Sequence, residues 1–528
     1  MEITHCVIGS GPAGVACATA LLARGARVLM LDAGLELEPE RARVIGPLAE
    51  KPPTEFTARE LQSLRGSQLP TSKGLPRKLI FGSDFPYRDT ETEIPWRPGD
   101  TSLEPSLALG GFSNVWGAAM LPYRDADLAG WPVKNAELAP HYRAVTAFTG
   151  LAGQRDDLAE LFPLYCDEPH PLRGSRQADL FLGKLNRHRE SLRAAGWRFG
   201  RSRLAVRAAA TPAGGGCQHC GLCMSGCPYS CIFNAADTVR QLQTRPGFTY
   251  QRDAIVTTLR ETVGGVEIQG FDRRTRAPLA VPAGRVYLAS GVIPTAQILL
   301  RSQGDYDQPL RLRDSQYFLF PLLLARRTAG LPAEALHTLS QVFLELNDPA
   351  VSPHTIHLQV YSYSDIIHQA VRQTLGPLKA LAPLLVERML VFQGYLHSDE
   401  SATITMTLQR KANGAGDVLQ LQAKAHPETR PRIQKLLRAL LRQSHRLGGL
   451  VLPPMLQVPQ PGRGFHSGGS LPMRTAPGKF ESDILGRPQG WSRVHVVDAS
   501  VLPSIPATTI TFSVMANAHR IGWETSDP

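Results

Sequence analysis

The chain has 528 residues, of which 43% are hydrophobic and 20% are charged, and its formal net charge is +11 at pH 7. This length allows two or three domains with a large core, and the composition excludes a disordered or fibrous protein. No stretch approaches the ~20 consecutive apolar residues of a membrane-spanning helix, and the first residues carry no secretion signal. We therefore expect a cytoplasmic protein without a transmembrane segment.

The 57 lysines and arginines are dispersed along the chain. A basic surface suits anionic partners, but a nucleic-acid-binding arm would need a run of basic residues. The positive charge therefore indicates a solvated basic surface, and no nucleic-acid partner is expected.

The first motif is a glycine-rich turn between two apolar runs. The run at residues 3–8 ends in Gly9, Gly11 and Gly14, and a helical pattern leads from there to the second run at residues 28–31. This order predicts strand, turn, helix and strand. Gly9 makes the tight turn, Gly11 lets the backbone approach a pyrophosphate, and Gly14 lets helix and strand pack closely. The amides at the helix start would face the phosphates.

An acidic residue, Asp32, follows the second apolar run. A carboxylate at this place can accept hydrogen bonds from the ribose hydroxyls of an adenosine. We expect a bound dinucleotide, because the strand, the helix and the acid are all present; a glycine-rich turn of another α/β protein is the alternative. The position of the motif near the start of the chain favours FAD over NAD.

A second glycine-rich stretch, LALGGFSNVWGAAM, covers residues 107–120. Glycines this dense beside Asn114 and Trp116 indicate a backbone pressed against a flat ligand, and a surface turn is the alternative. Residues 130–200, which follow, are predicted to form helices with polar faces.

Five of the eight cysteines lie between residues 217 and 231. Cys217, Cys220, Cys223 and Cys227 have the C-x2-C-x2-C-x3-C-P spacing of bacterial ferredoxins, and Cys231 is an alternate ligand. Zinc sites use two pairs with a longer connection, and disulfides are disfavoured in a cytosolic chain. An iron–sulfur cluster and reduced structural thiols remain as the two interpretations.

The middle of the chain predicts strands of two kinds. Residues 254–259, 263–271 and 285–289 read as strands, and we expect the last one to extend the parallel sheet. Residues 402–408 and 419–425 alternate apolar and polar side chains across a turn at Asn413-Gly414, which predicts a half-buried antiparallel sheet in a second domain.

Two further segments have helical patterns. Residues 366–395 read as an amphipathic helix pair, which could contact a membrane surface, although core packing is the preferred use. The basic helix at residues 430–446 is predicted to cover the sheet.

Five motifs together resemble the glucose-methanol-choline (GMC) flavoprotein oxidoreductases. They are GSGPAG with Asp32, LGGFSNVWG, LASGVIPTAQILLRS, HSGGSLPM and VVDASVLPSIP, in the order of that family. The resemblance implies an α/β fold with a Rossmann-like FAD-binding domain and a discontinuous substrate domain on an antiparallel sheet. It implies an FAD-binding domain made of residues 1–130, 201–312 (with the cysteine cluster 217–231) and 456–528, and a substrate domain made of residues 131–200 and 313–455.

The resemblance also assigns the cofactor site and the chemistry. FAD would be bound by Gly9, Gly11, Pro12, Ala13, Gly14, Asp32, Ala33, Gly110, Gly111, Ser113, Asn114, Trp116, Gly117, Val256, Ala289, Gly291, Asp498, Ala499 and Thr509. The expected reaction oxidises the CH–OH group of a sugar or another small alcohol to a carbonyl, with hydride transfer to flavin.

The position that matches the family's catalytic histidine is His466, whose imidazole suits a general base near neutral pH. The second catalytic residue of the family is usually Asn or His, whereas this chain has Thr509 there. A threonine hydroxyl can hydrogen-bond the substrate oxygen but cannot act as a base, so base work would fall on His466 alone.

A dehydrogenase is preferred over an oxidase, because a cluster at the cysteines would pass electrons singly to an acceptor protein. Two other classes are kept: a non-catalytic or electron-transfer flavoprotein with an iron–sulfur cluster, and a flavin-dependent lyase.

Overall fold

The computed structural model describes residues 4–66, 77–210, 214–411 and 416–526. Its strands are β1 (His5–Ile8), β2 (Val28–Leu31), β3 (Trp96–Arg97), β4 (Trp197–Arg201), β5 (Phe248–Gln251), β6 (Ala254–Thr262), β7 (Gly265–Asp272), β8 (Pro278–Ala283), β9 (Arg285–Leu288), β10 (Pro309–Asp314), β11 (Tyr317–Leu324), β12 (Val342–Leu346), β13 (Ile356–Tyr361), β14 (Met389–Tyr395), β15 (Thr403–Arg410), β16 (Asp417–Lys424), β17 (Gly449–Val451), β18 (Ser467–Gly468) and β19 (Val494–Val496).

The α-helices are α1 (Pro12–Ala23), α2 (Pro39–Ile45), α3 (Ala58–Arg65), α4 (Thr90–Glu93), α5 (Asn135–Thr149), α6 (Arg176–Arg187), α7 (Arg189–Ala194), α8 (Ala235–Leu242), α9 (Val292–Gln303), α10 (Asp365–Leu375), α11 (Ala382–Val386), α12 (Thr429–Arg442), α13 (Ser444–Leu447) and α14 (Thr511–Glu524). Within the described ranges, no helix has the length and apolarity needed to cross a membrane.

A five-stranded parallel sheet organises the nucleotide-binding end, in the order β19-β9-β1-β2-β5. Its central strands β1 and β2 are fully buried and, apart from His5, apolar, as expected of strands covered on both faces. Helix α1 packs against α14, and the close packing uses Gly522 beside the backbone of Cys17. The predicted parallel sheet and its extension by residues 285–288 are confirmed.

A six-stranded antiparallel sheet forms the other large layer, in the order β17-β11-β14-β13-β12-β4. Side chains alternate between its faces. One face buries Phe318, Phe320, Leu358 and Phe392 in a core with α6 and α12. The basic helix therefore covers this six-stranded sheet and not the sheet of residues 402–425 that it was predicted to cover. The opposite face of the six-stranded sheet lines a cavity.

The hairpin of β15 and β16 confirms the predicted antiparallel pairing, but it belongs to a different sheet. It lies in the order β18-β10-β15-β16-β3, and its buried residues, among them Ile404 and Met406, share one core with the parallel sheet. A two-residue alternation identifies the buried face of the hairpin and not the layer that covers it, so the assignment of this hairpin to the second domain stays a prediction. The turn at Asn413-Gly414 lies outside the described residues.

Three other segment predictions need correction. Residues 366–395 are helical only to Val386, and β14 follows from Met389. Residues 130–200 end in a strand, β4, and a further strand, β8, pairs with β7 where no strand was predicted. The domain boundaries given above stay a prediction.

Candidate functional site

A single cavity of about 930 Å³ runs between the parallel sheet and the six-stranded sheet. It begins at the carboxyl ends of β1, β2 and β9, where parallel sheets bind ligands, and reaches the free face of β11, β13 and β14. Its volume is at the upper end of the roughly 300–1,000 Å³ that is usual for ligand pockets.

The start of α1 forms a cradle at one end of this cavity. Gly11 precedes the helix, and no side chain of the described residues caps it, so the first amides have no side-chain partner. Gly9 has a φ of +103°, and a Cβ on Gly14 would lie 2.0 Å from the Gly9 carbonyl oxygen. At Gly11, by contrast, no described heavy atom lies within 4 Å of an added Cβ. Only Gly11 therefore faces open space, as a residue beside a ligand would.

The carboxylate of Asp32 closes one side of the cradle. It accepts hydrogen bonds from the Ser10 amide at 3.1 Å, the Ser10 hydroxyl at 2.7 Å and the Tyr250 hydroxyl at 3.1 Å. Burial raises the pKa of Asp32 to about 6, and these hydrogen bonds oppose the shift.

The loop of residues 107–120 uses its polar side chains to hold its own shape. The Asn114 amide donates to the Leu109 and Gly111 carbonyls, and the Trp116 indole donates to the Phe233 carbonyl at 3.0 Å. Asn234 donates in turn to Asn114 at 2.9 Å. The loop thereby presents Gly111 and Gly117 to the cavity as backbone.

The carboxylate of Asp498 links β19 to the start of α9. It accepts hydrogen bonds from the Gly291 amide at 3.0 Å, the Thr295 hydroxyl at 2.6 Å and the Ser500 amide at 2.9 Å. Burial raises the pKa of Asp498 above its usual range. Asp498 lines the cavity and also fixes a second helix start beside it.

The imidazole of His466 lines the cavity opposite the cradle. Its ring stacks on Tyr395 of β14 with centroids 4.6 Å apart. Its Nδ1 is buried and has no hydrogen-bond partner in the part of the chain that the structure describes. Burial lowers the pKa of His466 to about 3, with a smaller effect from His357, so the ring is neutral at physiological pH.

The side chain of Thr509 also lines the cavity. Its hydroxyl oxygen accepts a hydrogen bond from the Leu121 amide at 3.0 Å. The hydroxyl proton therefore remains available for donation to another group.

A buried acid that the sequence did not indicate, Asp314, anchors the His466 segment. Its two oxygens accept from the Ser467 hydroxyl at 2.6 Å and the Gly462 amide at 2.9 Å, and β18 pairs with β10 at Asp314. Burial raises the pKa of Asp314 to about 7, and the two hydrogen bonds oppose this shift. Asp314 thus holds the chain both before His466, at Gly462, and after it, at Ser467.

The five clustered cysteines surround a second, small cavity of about 10 Å³. All are free thiols, and among the described residues no three of their sulfurs lie within 4.8 Å of one another, as ligands of a single ion would. Burial raises the pKa of Cys217 to about 12, whereas hydrogen bonding from Cys231 lowers the pKa of Cys227 to about 6. The donor set suits a thiolate-bound cluster, but the present space holds about one water molecule, so a cluster would move the sulfurs apart.

The side chain of Lys78 lies between the two cavities. Its ammonium donates to the Trp116 carbonyl at 2.9 Å and lines the main cavity. Burial lowers the pKa of Lys78 to about 8, and the nearby Cys223 and Cys227 sulfurs oppose that shift. The cysteine loop is therefore adjacent to the glycine-rich loop of residues 107–120.

Most of the predicted site residues share the main cavity. The lining includes Gly9, Gly11, Pro12, Ala13, Asp32, Ala33, Gly111, Ser113, Trp116, Gly117, Val256, Ala289, Gly291, His466, Asp498, Ala499 and Thr509. Gly14, Gly110 and Asn114 are not part of that lining, and they hold the two glycine-rich turns in place. Their roles stay predictions. Asp314, Lys78, Tyr317 and Tyr395 were missed, because no local motif marks them.

No family model matches the sequence. A 6'''-hydroxyparomomycin C oxidase of Streptomyces lividus is 25% identical over 321 residues, which are 57% of this chain and 50% of that protein. The chain thus spans about half the length of this curated relative. Among solved structures, pyridoxine 4-oxidase from Mesorbium loti aligns with a TM-score of 0.61 over 99% of this chain and 98% of that chain, at 14% identity.

The chain has the fold of that pyridoxine 4-oxidase. The structural alignment extends over nearly the whole of both chains, and both compared proteins are named as oxidases. The resemblance stated from the motifs and the expected fold class are therefore confirmed.

The raised pKa of Asp314 makes stability depend on pH. An unfolded aspartate loses its proton near pH 4, whereas folded Asp314 keeps it to about pH 7, so the folded state binds more protons in this window. Its contribution to the free energy of unfolding should therefore fall as pH rises from about 4 to 7, by on the order of 3 kcal/mol. We expect Asp314→Asn to lose that part of the pH dependence in urea unfolding at about pH 5 and about pH 8.

A matched control is Asp167→Asn, because the Asp167 side chain is 98% exposed. It should leave the pH dependence unchanged. An Asp314→Asn protein with the same pH dependence as the parent would show that this carboxyl is not held protonated.

Proposed function

We propose that the chain is an FAD-dependent oxidoreductase that converts an alcohol CH–OH group to a carbonyl. The observation that carries this proposal is the continuous cavity that joins the uncapped start of α1 to the neutral imidazole of His466, whose Nδ1 has no hydrogen-bond partner among the described residues. A helix start with free amides binds a pyrophosphate, and a neutral imidazole can accept a proton. The amides that would bind the pyrophosphate and the imidazole that would accept the proton thus line the same cavity.

The residues around the cradle fit FAD. The backbone at Gly11 would contact the pyrophosphate, Asp32 would accept from a ribose hydroxyl, and the backbone of Gly111 and Gly117 would border the flat ring system. When bound, FAD supplies the acceptor for the hydride that leaves the alcohol carbon. The comparisons support the same cofactor class, because the compared proteins are flavin oxidoreductases.

His466 would take the hydroxyl proton as the hydride leaves. The stacked Tyr395 ring restricts rotation of the imidazole, and Asp314 holds the chain before and after it. Thr509 would donate its hydroxyl proton to the substrate oxygen, because its oxygen already accepts from Leu121. His466 is therefore the base, and Thr509 is a hydrogen-bonding partner.

Replacement of Gly11 by valine tests the cofactor assignment. The φ of Gly11 is −64° and the space beside it is open, so valine should not strain the protein itself. A branched side chain would occupy the space of the pyrophosphate, so the purified variant should contain less than about a tenth of the parent's flavin. Gly46→Val is the control, because Gly46 also has open space and a negative φ but lies outside the cavity. Full flavin occupancy in the Gly11 variant would contradict the assignment.

Replacement of His466 by alanine tests the base. The rate of anaerobic flavin reduction by the alcohol should fall ~10²–10⁴-fold at unchanged flavin content. Since burial lowers the pKa of His466 to about 3, the parent enzyme should keep its reduction rate from about pH 8 down to about pH 5 and lose it only near pH 3. His445→Ala, at an exposed position, is the control. A His466→Ala enzyme that reduces flavin at the parent rate would refute the role.

We further propose that a one-electron acceptor serves the enzyme and that Cys217, Cys220, Cys223 and Cys227 hold an iron–sulfur cluster, with Cys231 as an alternate ligand. The supporting observation is that five free thiols converge on one cavity, next to Lys78 and the loop beside the flavin site. Free thiols gathered in this way form the donor set of a thiolate-bound cluster, and reduced structural thiols are the alternative. Both compared proteins are named as oxidases, which favours oxygen as the acceptor instead.

Anaerobic purification from iron-replete cells decides between these acceptors. We expect bound iron and acid-labile sulfide, together with a Cys220→Ser variant that still reduces its flavin but turns over at least about tenfold more slowly with a one-electron acceptor. Cys166→Ser is the control, because Cys166 lies outside the cluster cavity. A parent protein without iron and sulfide, or a Cys220→Ser variant with full turnover, would reject the cluster and leave oxygen as the acceptor.

A non-catalytic or electron-transfer flavoprotein and a flavin-dependent lyase are the alternatives. They are distinguished by the same anaerobic experiment, because only an alcohol-oxidising enzyme bleaches its flavin stoichiometrically with the alcohol that is consumed.

A further inference from the structure

The cavity continues well past His466, along the free face of the six-stranded sheet. Tyr395 stacks on His466, and Met389 at the other end of the same strand also lines the cavity. Six residues of strand span about 20 Å. The space beyond the reacting centre is therefore as long as an extended alkyl chain of many carbons.

The polarity of this face changes along its length. Near His466 the cavity is lined by Tyr395, Gln393 and Gln359, and the Tyr361 hydroxyl donates to Gln359. The next cross-strand pairs are Pro321 with Val391 and Leu323 with Met389, which are apolar. On this face of the sheet, the hydrogen-bonding side chains are thus confined to the end at His466.

Helices α10 and α11 cover the apolar end. Ile367 and Val371 pack in one cluster with Met389 and Val391 of the sheet. The helix residues that line the cavity are Ile366, Ile367, Gln369, Ala370, Val371, Thr374, Leu375 and Leu385. Gln369, Ala370 and Thr374 are exposed, so the cavity opens to solvent at α10.

The part of the cavity between the six-stranded sheet and α10, called the branch below, differs in charge from the cradle at the start of α1. Of the described residues from Tyr317 to Gln457 that line the cavity, none is Asp, Glu, Lys or Arg. Against the apolar pairs of β11 and β14, a sugar or an aminosugar would leave hydroxyl or amino groups unpaired, at the cost of a lost hydrogen bond for each such group. A hydrocarbon chain would instead lose its contact with water there.

We propose that the substrate is a long-chain primary alcohol, whose hydroxyl end lies at His466 and whose hydrocarbon chain occupies the branch between the sheet and α10. This inference rests on the proposed alcohol oxidation and names its substrate class. It differs from the aminoglycoside and pyridoxine compounds in the names of the compared proteins.

The chain-length dependence of flavin reduction tests the inference. With flavin-loaded enzyme under anaerobic conditions, the second-order rate constant for reduction should rise about threefold with each added methylene in a series of 1-alkanols from hexanol to dodecanol. Glucose and pyridoxine should reduce the flavin at least about a hundredfold more slowly than dodecanol. Equal rates for hexanol and dodecanol, or faster reduction by glucose, would overturn the inference while leaving alcohol oxidation intact.

A pair of neighbouring variants locates the chain in the branch. Val371→Gln places an amide in the apolar wall. The increase in the rate constant for flavin reduction per added methylene should therefore fall below about 1.5-fold for the longer alcohols, and the rate constant for hexanol should change little. Arg372→Gln is the matched control, because Arg372 is exposed and does not line the cavity. It should keep the threefold gain. An unchanged gain in Val371→Gln, or the same loss in both variants, would contradict the placement.

Binding of 1-methoxydecane, which has no hydroxyl group to oxidise, separates this inference from the proposed function. Calorimetric titration of the flavin-loaded enzyme should give binding with a negative heat capacity change, and Val371→Gln should weaken it at least about threefold. If the ether binds in this way and no alcohol bleaches the flavin, hydrocarbon binding in the branch is supported and the proposed alcohol oxidation is rejected. If the ether does not bind, the inference is overturned whatever the alcohols do.

Discussion

The alternation of side chains along β11, β13 and β14 is the constraint on which the site depends. Phe318, Phe320 and Phe392 point into the core with α6 and α12, and the intervening residues therefore point into the cavity. A shift of one residue in any of these strands would exchange the two faces, so the packing of the core fixes the register. The sheet face that lines the cavity is thus determined by aromatic residues on the opposite face, which do not line the cavity.

Three buried carboxylates hold the loops that the sheets do not reach. Asp32, Asp314 and Asp498 each accept hydrogen bonds from segments distant in the chain, and burial raises the pKa of each one. A charged carboxylate in such a place lowers the stability of the fold, since its desolvation is only partly offset by neutral donors. The protein accepts that cost at its site, where the loops must keep a fixed geometry.

The parts of the fold that the sequence predicts are those with a local signature. The turn at Gly9 and Gly14 follows from steric rules within a few residues, and the strand before it and the helix after it follow from apolar periodicity. The layer against which the β15–β16 hairpin packs, and the contacts of Asp314 with Gly462 and Ser467, join segments far apart in the chain. No local pattern encodes them. Strand β14 was read as helix because a short apolar run fits either structure.

A gradient of polarity along the cavity follows from these elements. The start of α1 offers amides and the positive end of a helix dipole, the middle offers an imidazole and hydroxyl groups, and the far end offers apolar strand pairs with Gln369 and Thr374 at the opening to solvent. A molecule with one polar end can place its hydrocarbon part against these apolar strand pairs while that end forms hydrogen bonds near His466. Since His466 stands where the polar part ends, the gradient itself would bring an alcohol group to the base, and the apolar walls behind it would limit the access of water to the reacting carbon.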